Sequence, residues 1–410
     1  MTRDPHPPKW RAVGGALAAL AAAGALLALP GHRSVGVVAT ADTGPRTLAD
    51  RWPRARPVSL SAVLPDGDSY APMLVLDRDS SIGTATSPDA ISTSLVALTG
   101  SRPPRVLQTI TPGSGDIVDA VVATPARLYW IRSVTDERGI AHAAVWTADR
   151  SGGPARELVA DAGAAVVNNS RYDLLIAGGR LRWVTTAATT PPATQLRSVS
   201  LDGGPVEVRT IPGVYAQTAW PWLTSAAGGV NGPADLYNPL TGKHIPIAVR
   251  ADQQATCTPT RCRVVTADGA GSRIEVQRPD GRDRRRINDA GQAAALTDAA
   301  VLDRFEFLIT IAPAGVASSV QQGSMYDLTD HRTIALGSGV TVIVARGDWL
   351  WWSTGDNEAL TWHLLDLTTL RCHGVRAIAA GRRVSARVGQ QLRSCGDWLS
   401  SWPRPETNSR

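Results

Sequence analysis

The sequence predicts an all-β fold, a β-propeller of four-stranded antiparallel blades, preceded by one transmembrane helix. Three observations in the 410-residue chain carry that expectation. A short strand with a bulky apolar or aromatic centre recurs seven times, a strand-turn-strand pattern alternates with it, and one segment alone is apolar for long enough to cross a bilayer. The copies are spaced by about 45 residues, the length of one blade.

The chain opens with residues 1-11, where Arg3, Lys9 and Arg11 outweigh Asp4, followed by an uncharged run at 12-29, AVGGALAALAAAGALLAL. As a helix that run is about 27 Å long at about 1.5 Å per residue, near the thickness of a bilayer core. The positive flank keeps 1-11 in the cytoplasm and places the remainder outside the plasma membrane, a single-pass signal-anchor arrangement. The nearest small-x-small site, Ala39-Thr40-Ala41, lies about ten residues past the run, far for a signal peptidase, so the helix is expected to be retained. Residues 30-57 space Pro30, Pro45, Pro53 and Pro57 among Arg, Thr and Ala with no apolar period, and read as a flexible linker.

The propeller is expected over 58-375. Its first marker is MLVLD at 73-77, LYWIRS at 128-133, LRWVTT at 181-186, WPWLTS at 220-225, CRVVTA at 262-267, FEFLIT at 305-310 and LWWST at 350-354. The second is VALTGSRPPRVL at 96-107, VWTADRSGGPAREL at 145-158, VSLDGGPVEV at 199-208, LYNPLTGKHIPI at 236-247, VQRPDGRDRRRI at 276-287, MYDLTDHRTIAL at 325-336 and HLLDLTTLRCHGV at 363-375. One such sheet cannot cover both its faces alone, whereas radial stacking buries each blade on its neighbours. Trp130, Trp183, Trp222, Phe307 and Trp351 are expected to fill the wedges between blades. Seven blades fit best; six and eight stay open because the first copy has few aromatics and the fourth and fifth are short. VSLSAVL at 58-64 is a candidate to pair with the last blade and close the ring. Residues 376-410 are expected to be a C-terminal extension pinned to the last blade, with a bridge from Cys372 to Cys395 holding the tail there.

An apolar strand ending in W-x-x followed by an apolar-x-apolar-D turn with paired glycines, as in LRWVTT and then VSLDGG, resembles the broad TolB-like and WD40-like propeller assemblage. It is similar in particular to uncharacterised envelope propellers of high-GC Gram-positive bacteria, over residues 58-375. The S-P-D-G turn of TolB and a G-H…W-D pair are missing, so the resemblance implies an architecture and no particular partner.

The net charge is +6, and the basic residues are arginines except for Lys9 and Lys243. In a chain rich in Ala, Gly and Pro this is a compositional bias, and no nucleic-acid partner is expected without a basic patch interleaved with aromatics. The densest run, Arg282 with Arg284, Arg285 and Arg286, sits on a turn of the fifth copy. It reads as a solvated hairpin edge, with anionic lipid or a phosphorylated wall polymer as the alternative. Cys257 and Cys262 flank one turn and Cys372 and Cys395 lie together near the C-terminus; in an exported chain two local disulfides are the simplest of the three pairings. Disulfides are preferred to a metal site, whose spacing is missing.

No H-E-x-x-H, G-x-S-x-G, phosphate-loop or dinucleotide-binding pattern occurs, so no catalytic residue, metal or cofactor is assigned. Asp116, Asp119, Asp173, Asp298, Asp303 and Asp348 stand near blade starts. An acidic residue before a strand is ordinary turn chemistry. Were several to converge, Asp116, Asp173 and Asp298 would be channel-mouth candidates for a hydrolase or lyase acting on an envelope carbohydrate or lactone. The preferred expectation is a binding or scaffolding module for an envelope protein or an anionic polymer.

Overall fold

The computed structural model describes residues 46–110, 115–136, 138–225, 234–268, 271–295, 297–310, 321–355 and 359–370. These fall within one compact unit, Pro45–Ile311 with Val320–Arg410. The segment 12-29, most of the linker, Cys372 and the extension 376-410 with Cys395 lie outside the described residues. Among the described residues no helix is long and apolar enough to cross a membrane.

Seven antiparallel sheets follow one another, and their strands are lettered a to d from the centre outward. Blade 1 is Ser69–Asp77, Ser80–Thr86, Thr93–Thr99 and Arg105–Ile110. Blade 2 is Ile117–Ala123, Arg127–Thr135, Ala141–Asp149 and Arg156–Val159. Blade 3 is Leu175–Ala177, Arg180–Ala187, Ala193–Ser200 and Glu207–Pro212. Blade 4, the smallest, is Ala216–Gln217, Leu223–Thr224, Ala234–Asn238 and Lys243–Ile247. Blade 5 is Gln253–Cys257, Cys262–Asp268, Gly271–Gln277 and Arg285–Arg286. Blade 6 is Gln292–Ala294, Phe305–Thr310, Gln322–Asp327 and Arg332–Ser338. Blade 7 takes strands a to c from Val340–Arg346, Trp349–Thr354 and Thr361–Asp366, and strand d from Val58–Ser61.

That last pairing closes the ring as the sequence suggested, with Val58 opposite Leu364 and Ser61 opposite Thr361. Over its described residues, 363–370, the seventh strand-turn-strand copy is therefore one strand and a turn. After Asp366 its chain turns into the short 3-10 helix Leu367–Thr369, whose first turn is capped by the Asp366 carboxylate accepting from Thr368 N–H at 2.9 Å. An N-terminal strand occupies the edge instead, so the first and last blades are fastened by backbone hydrogen bonds rather than by side-chain packing alone.

Apolar clusters lie between successive blades, as stacked sheets require. Leu128 and Trp130 meet Ile82 and Leu95 of blade 1, Trp183 meets Ile131 and Val145 of blade 2, and Leu223 meets Val184 and Leu196. Leu236 joins Val264, Ile274 joins Leu308, and Phe307 joins Ile343 and Trp352. Trp351 and Leu364 of blade 7 meet Val75 of blade 1, completing the circuit. Trp130, Trp183, Phe307 and Trp351 are fully buried, and Trp222 is half-buried against the cluster of blades 4 and 5. The indoles of Trp130, Trp183 and Trp351 keep a partner: Nε1 donates to Gln108 Oε1 at 2.7 Å, to the Ala162 carbonyl at 2.8 Å and to the Pro72 carbonyl at 3.2 Å.

Two sequence expectations are corrected. Six of the seven bulky markers lie on strand b, but MLVLD lies on strand a of blade 1, whose strand b is the plain Ser80–Thr86. The reason is Gly83, where an added Cβ would stand 2.2 Å from the Ala71 carbonyl and 2.8 Å from the Tyr70 ring. Tyr70 packs over Gly83 from strand a and is buried against Leu64, Ala85 and Val96. Secondly, the linker is not free throughout its length, because Arg46–Thr47 adds a parallel strand to blade 6 and Leu48–Arg51 forms one helical turn with a Thr47/Asp50 capping box. Trp52 is 1% exposed and meets Phe305 edge-on at 6.3 Å, which secures the segment.

Candidate functional site

Two innermost strands leave their sheets, and these departures build the site. In blade 3, Ala165 bridges Thr185 and Val166 N–H donates to Val184 O at 3.0 Å, but the ladder resumes only with Leu175 opposite Arg182. The residues between loop inward. Their turn is local chemistry: Asp173 Oδ2 accepts from Asn168 N–H at 3.0 Å and Ser170 N–H at 2.9 Å, and Asn169 takes a left-handed φ of 57°. In blade 6, Ala295 N–H donates to Phe307 O at 2.8 Å and the chain rejoins at Val301 opposite Phe305. Between them, Ala300 N–H donates to Glu306 Oε1 at 2.7 Å. The buried Arg263 of blade 5 binds Glu306 Oε2 at 2.8 Å and also the Thr297 carbonyl.

The two excursions meet. Ser170 Oγ donates to Asp298 Oδ1 at 2.5 Å and Arg171 N–H donates to Asp298 Oδ2 at 3.2 Å. Blades 3 and 6 are not neighbours in a ring of seven, so these bonds span the central channel. Arg346, ending strand a of blade 7, faces Asp173, Asp298 and Asp119, the last from strand a of blade 2. Its Nε is buried with no hydrogen-bond partner among the described residues. The guanidinium of Arg171 lies 4.6 Å over the Tyr172 ring.

Burial governs the charges here. Desolvation pushes the Asp173 carboxyl up to about 7; its two N–H bonds and Arg346 work against that rise, and Asp298 adds to it. Desolvation also raises Asp119, opposed by Arg346, and the same burial pushes Arg346 down. The cluster can therefore hold a proton on Asp173 near neutral pH.

Of the three sequence candidates, Asp173 and Asp298 come together through Ser170, while Asp116 is engaged inside blade 2. Arg132 grips its buried carboxylate with both nitrogens of a fork, Nε at 2.8 Å and a terminal nitrogen at 2.6 Å. Asp303 lies in the a–b turn of blade 6 and accepts from Thr260 Oγ1, and Asp348 stands in the turn after Arg346 with its carbonyl accepting from Leu367 N–H at 2.8 Å. Cys257 and Cys262 are disulfide-bonded across the a–b turn of blade 5. Among the described residues no group of three or more His, Cys, Asp or Glu is placed to hold a metal ion. Arg346, Arg171 and Ser170 were not singled out from the sequence. The available signal was the polar run Asn168-Asn169-Ser170-Arg171-Tyr172-Asp173 within one of the two wide intervals between markers, the one from Leu128 to Leu181.

The chain is thus a closed seven-bladed β-propeller whose channel is crossed by its own inner loops. TolB from Acinetobacter baumannii is among the solved structures similar to it, at 13% identity over 73% of this chain and 78% of that one, with a TM-score of 0.32. The β-propeller domain of the Trilobed protease from Pyrococcus furiosus aligns at 8% identity over 61% of this chain and 83% of that one, TM-score 0.42. A puromycin-hydrolysing peptidase from Mycobacterium tuberculosis aligns at 13% identity over 80% of this chain and 54% of that one, TM-score 0.45. The chain spans about half the length of the full peptidases it matches. No family model and no curated protein matches the sequence. The fold rests on the sheets themselves, and likenesses this distant carry nothing about activity.

Proposed function

We propose that this protein is a binding or scaffolding module, anchored in the plasma membrane through residues 12-29 and presenting its propeller outside the cell to an envelope protein or an anionic polymer. One observation carries the non-catalytic part: the channel, where a propeller enzyme would open its carboxylates to substrate, is crossed by loops whose acids bind the protein itself. Asp298 is occupied by Ser170 and Arg171, Asp173 by two backbone N–H groups, and Asp116 by Arg132. The ends and outer edges of the blades remain for partners.

The test is affinity capture from envelope membranes with the full chain, beside the Asp173→Asn and Asp298→Asn variants. A partner retained by all three supports the module, and recovery of nothing above background counts against it. A second reading, the hydrolase or lyase, draws on the proton-holding Asp173 next to Asp298, the pattern of an acid–base pair. Turnover of glycoside or lactone substrates that both variants abolish would select it over the module. The anchor is tested separately by alkaline extraction: the full chain stays with membranes, and deletion of 12-29 releases it.

A further inference from the structure

In blades 5 and 6 the a–b and c–d turns open at the same end of the ring, and at this end the two blades enclose a cleft. Its walls are Arg261, Arg284, Arg285, Asp283 and His331 over an apolar floor of Val276 and Leu328. Arg261 is shared with an adjoining cavity that adds Arg278, Asp280 and Thr260. We propose that this double cleft binds successive phosphate groups of a linear polyanion. The inference rests on the binding-module reading and names the partner's chemistry.

Charge and geometry carry it. Three arginines face one aspartate in the first cavity, and the carboxylates nearby are shared rather than matched one to one. Asp283 serves Arg278 at 2.7 Å and Arg261 at 3.7 Å, and Glu275 serves Arg273 at 2.9 Å and Arg284 at 2.6 Å. Asp280 is held by Arg282 at 2.6 Å, and Asp303 accepts from Thr260. Arg285 bonds the Tyr326 hydroxyl and Arg261 reaches Asp283 only at 3.7 Å, so each guanidinium keeps further N–H donors for an incoming anion. Guanidinium forks suit the tetrahedral oxygens of phosphate, which they bind in pairs. His331 brings a ring whose pKa is lowered by burial and by Arg285, so it offers a neutral N–H donor at neutral pH. The second cavity carries the row of guanidiniums on from Arg261 to Arg278, beside Asp280 and Asp303, so the row is longer than one ion and suits an extended anion.

The test uses the full chain and medium-chain inorganic polyphosphate as probe, with orthophosphate and vesicles containing phosphatidylglycerol as separate arms. Wild type binds polyphosphate in a salt-dependent way and orthophosphate far more weakly. The Arg261→Gln/Arg285→Gln double variant binds at least about tenfold more weakly, the loss of one charge-assisted hydrogen bond or more. Its slope of log affinity against log salt becomes shallower by about 1.4, from about 0.7 per neutralised phosphate. The control Arg156→Gln/Arg209→Gln removes the same charge from exposed outer strands of blades 2 and 3 and leaves binding unchanged. An equal loss in the control, orthophosphate binding as tight as polyphosphate, or tighter binding to the vesicles overturns the proposal. If polyphosphate does not bind but affinity capture still recovers a partner, this inference falls and the module stands; failure of both removes both.

Discussion

Replacing Asp173 by Asn tests the electrostatics of the channel cluster directly. The folded carboxyl titrates at about 7 against an ordinary value of 3.8, a rise caused first by desolvation. A folded acid whose pKa is raised contributes stability that is complete below about 3.8 and is lost as pH climbs, until the loss levels off above about 7. At about 1.36 kcal/mol per unit the ceiling is about 4 kcal/mol, to be reduced for coupling to Arg346. Asparagine stays neutral at every pH, and its carbonyl oxygen can replace the single Oδ2 that accepts both Asn168 and Ser170 N–H groups. Urea denaturation followed by tryptophan fluorescence, run on both proteins from about pH 4 to about pH 8, isolates the effect as a difference curve. The two should match near pH 4, and the variant should become the more stable by a few kcal/mol at about pH 8. A flat difference curve, or a variant weaker at the alkaline end, would refute the desolvation argument.

Three further substitutions probe how the ring is held. Gly83→Ala forces a methyl against the Ala71 carbonyl and should cost about 1–3 kcal/mol in a denaturant titration, with blade 1 the first to lose protection. Glu306→Ala strands the buried Arg263 and frees the Ala300 N–H, for an expected loss of about 3–5 kcal/mol, and proteolysis should then cut near residues 297–300. Trp52→Ala empties the contact on Phe305; a loss of about 3–5 kcal/mol is expected in thermal unfolding, whereas a tether that does not dock would show none.

The repeats were legible because stacked blades impose one repeated requirement, a bulky strand b beside a hairpin, and Trp130, Trp183 and Trp351 report it in blades 2, 3 and 7. Closure was legible from VSLSAVL for the same reason: an apolar strand ahead of the first copy needs an edge. Blade 1 misled because Tyr70 packs over Gly83 from the neighbouring strand, and sequence order does not say which strand supplies the ring. Docking of residues 46–55 was missed because one turn of helix and two strand residues leave no periodicity; a lone Trp52 among prolines gives no hint of Phe305. For the site, aspartates near blade starts were the right residue type, but Asp116 and Asp173 look alike in sequence. Their difference lies in Arg132, which faces one, and in an inward loop that carries the other to Asp298 across the ring. Such a pairing depends on the loop's path, which local spacing does not encode.

Hydrogen exchange resolved by mass spectrometry, on peptides covering residues 167–174, addresses most directly whether the channel is closed by the protein's own loops. Amides of Asn168, Ser170 and Arg171 that bind Asp173 and Asp298 should exchange as slowly as those of the buried strand around Trp183. Exchange as fast as that of the exposed turn at Gly152 and Gly153 would mean an open channel, with its carboxylates free to meet a substrate.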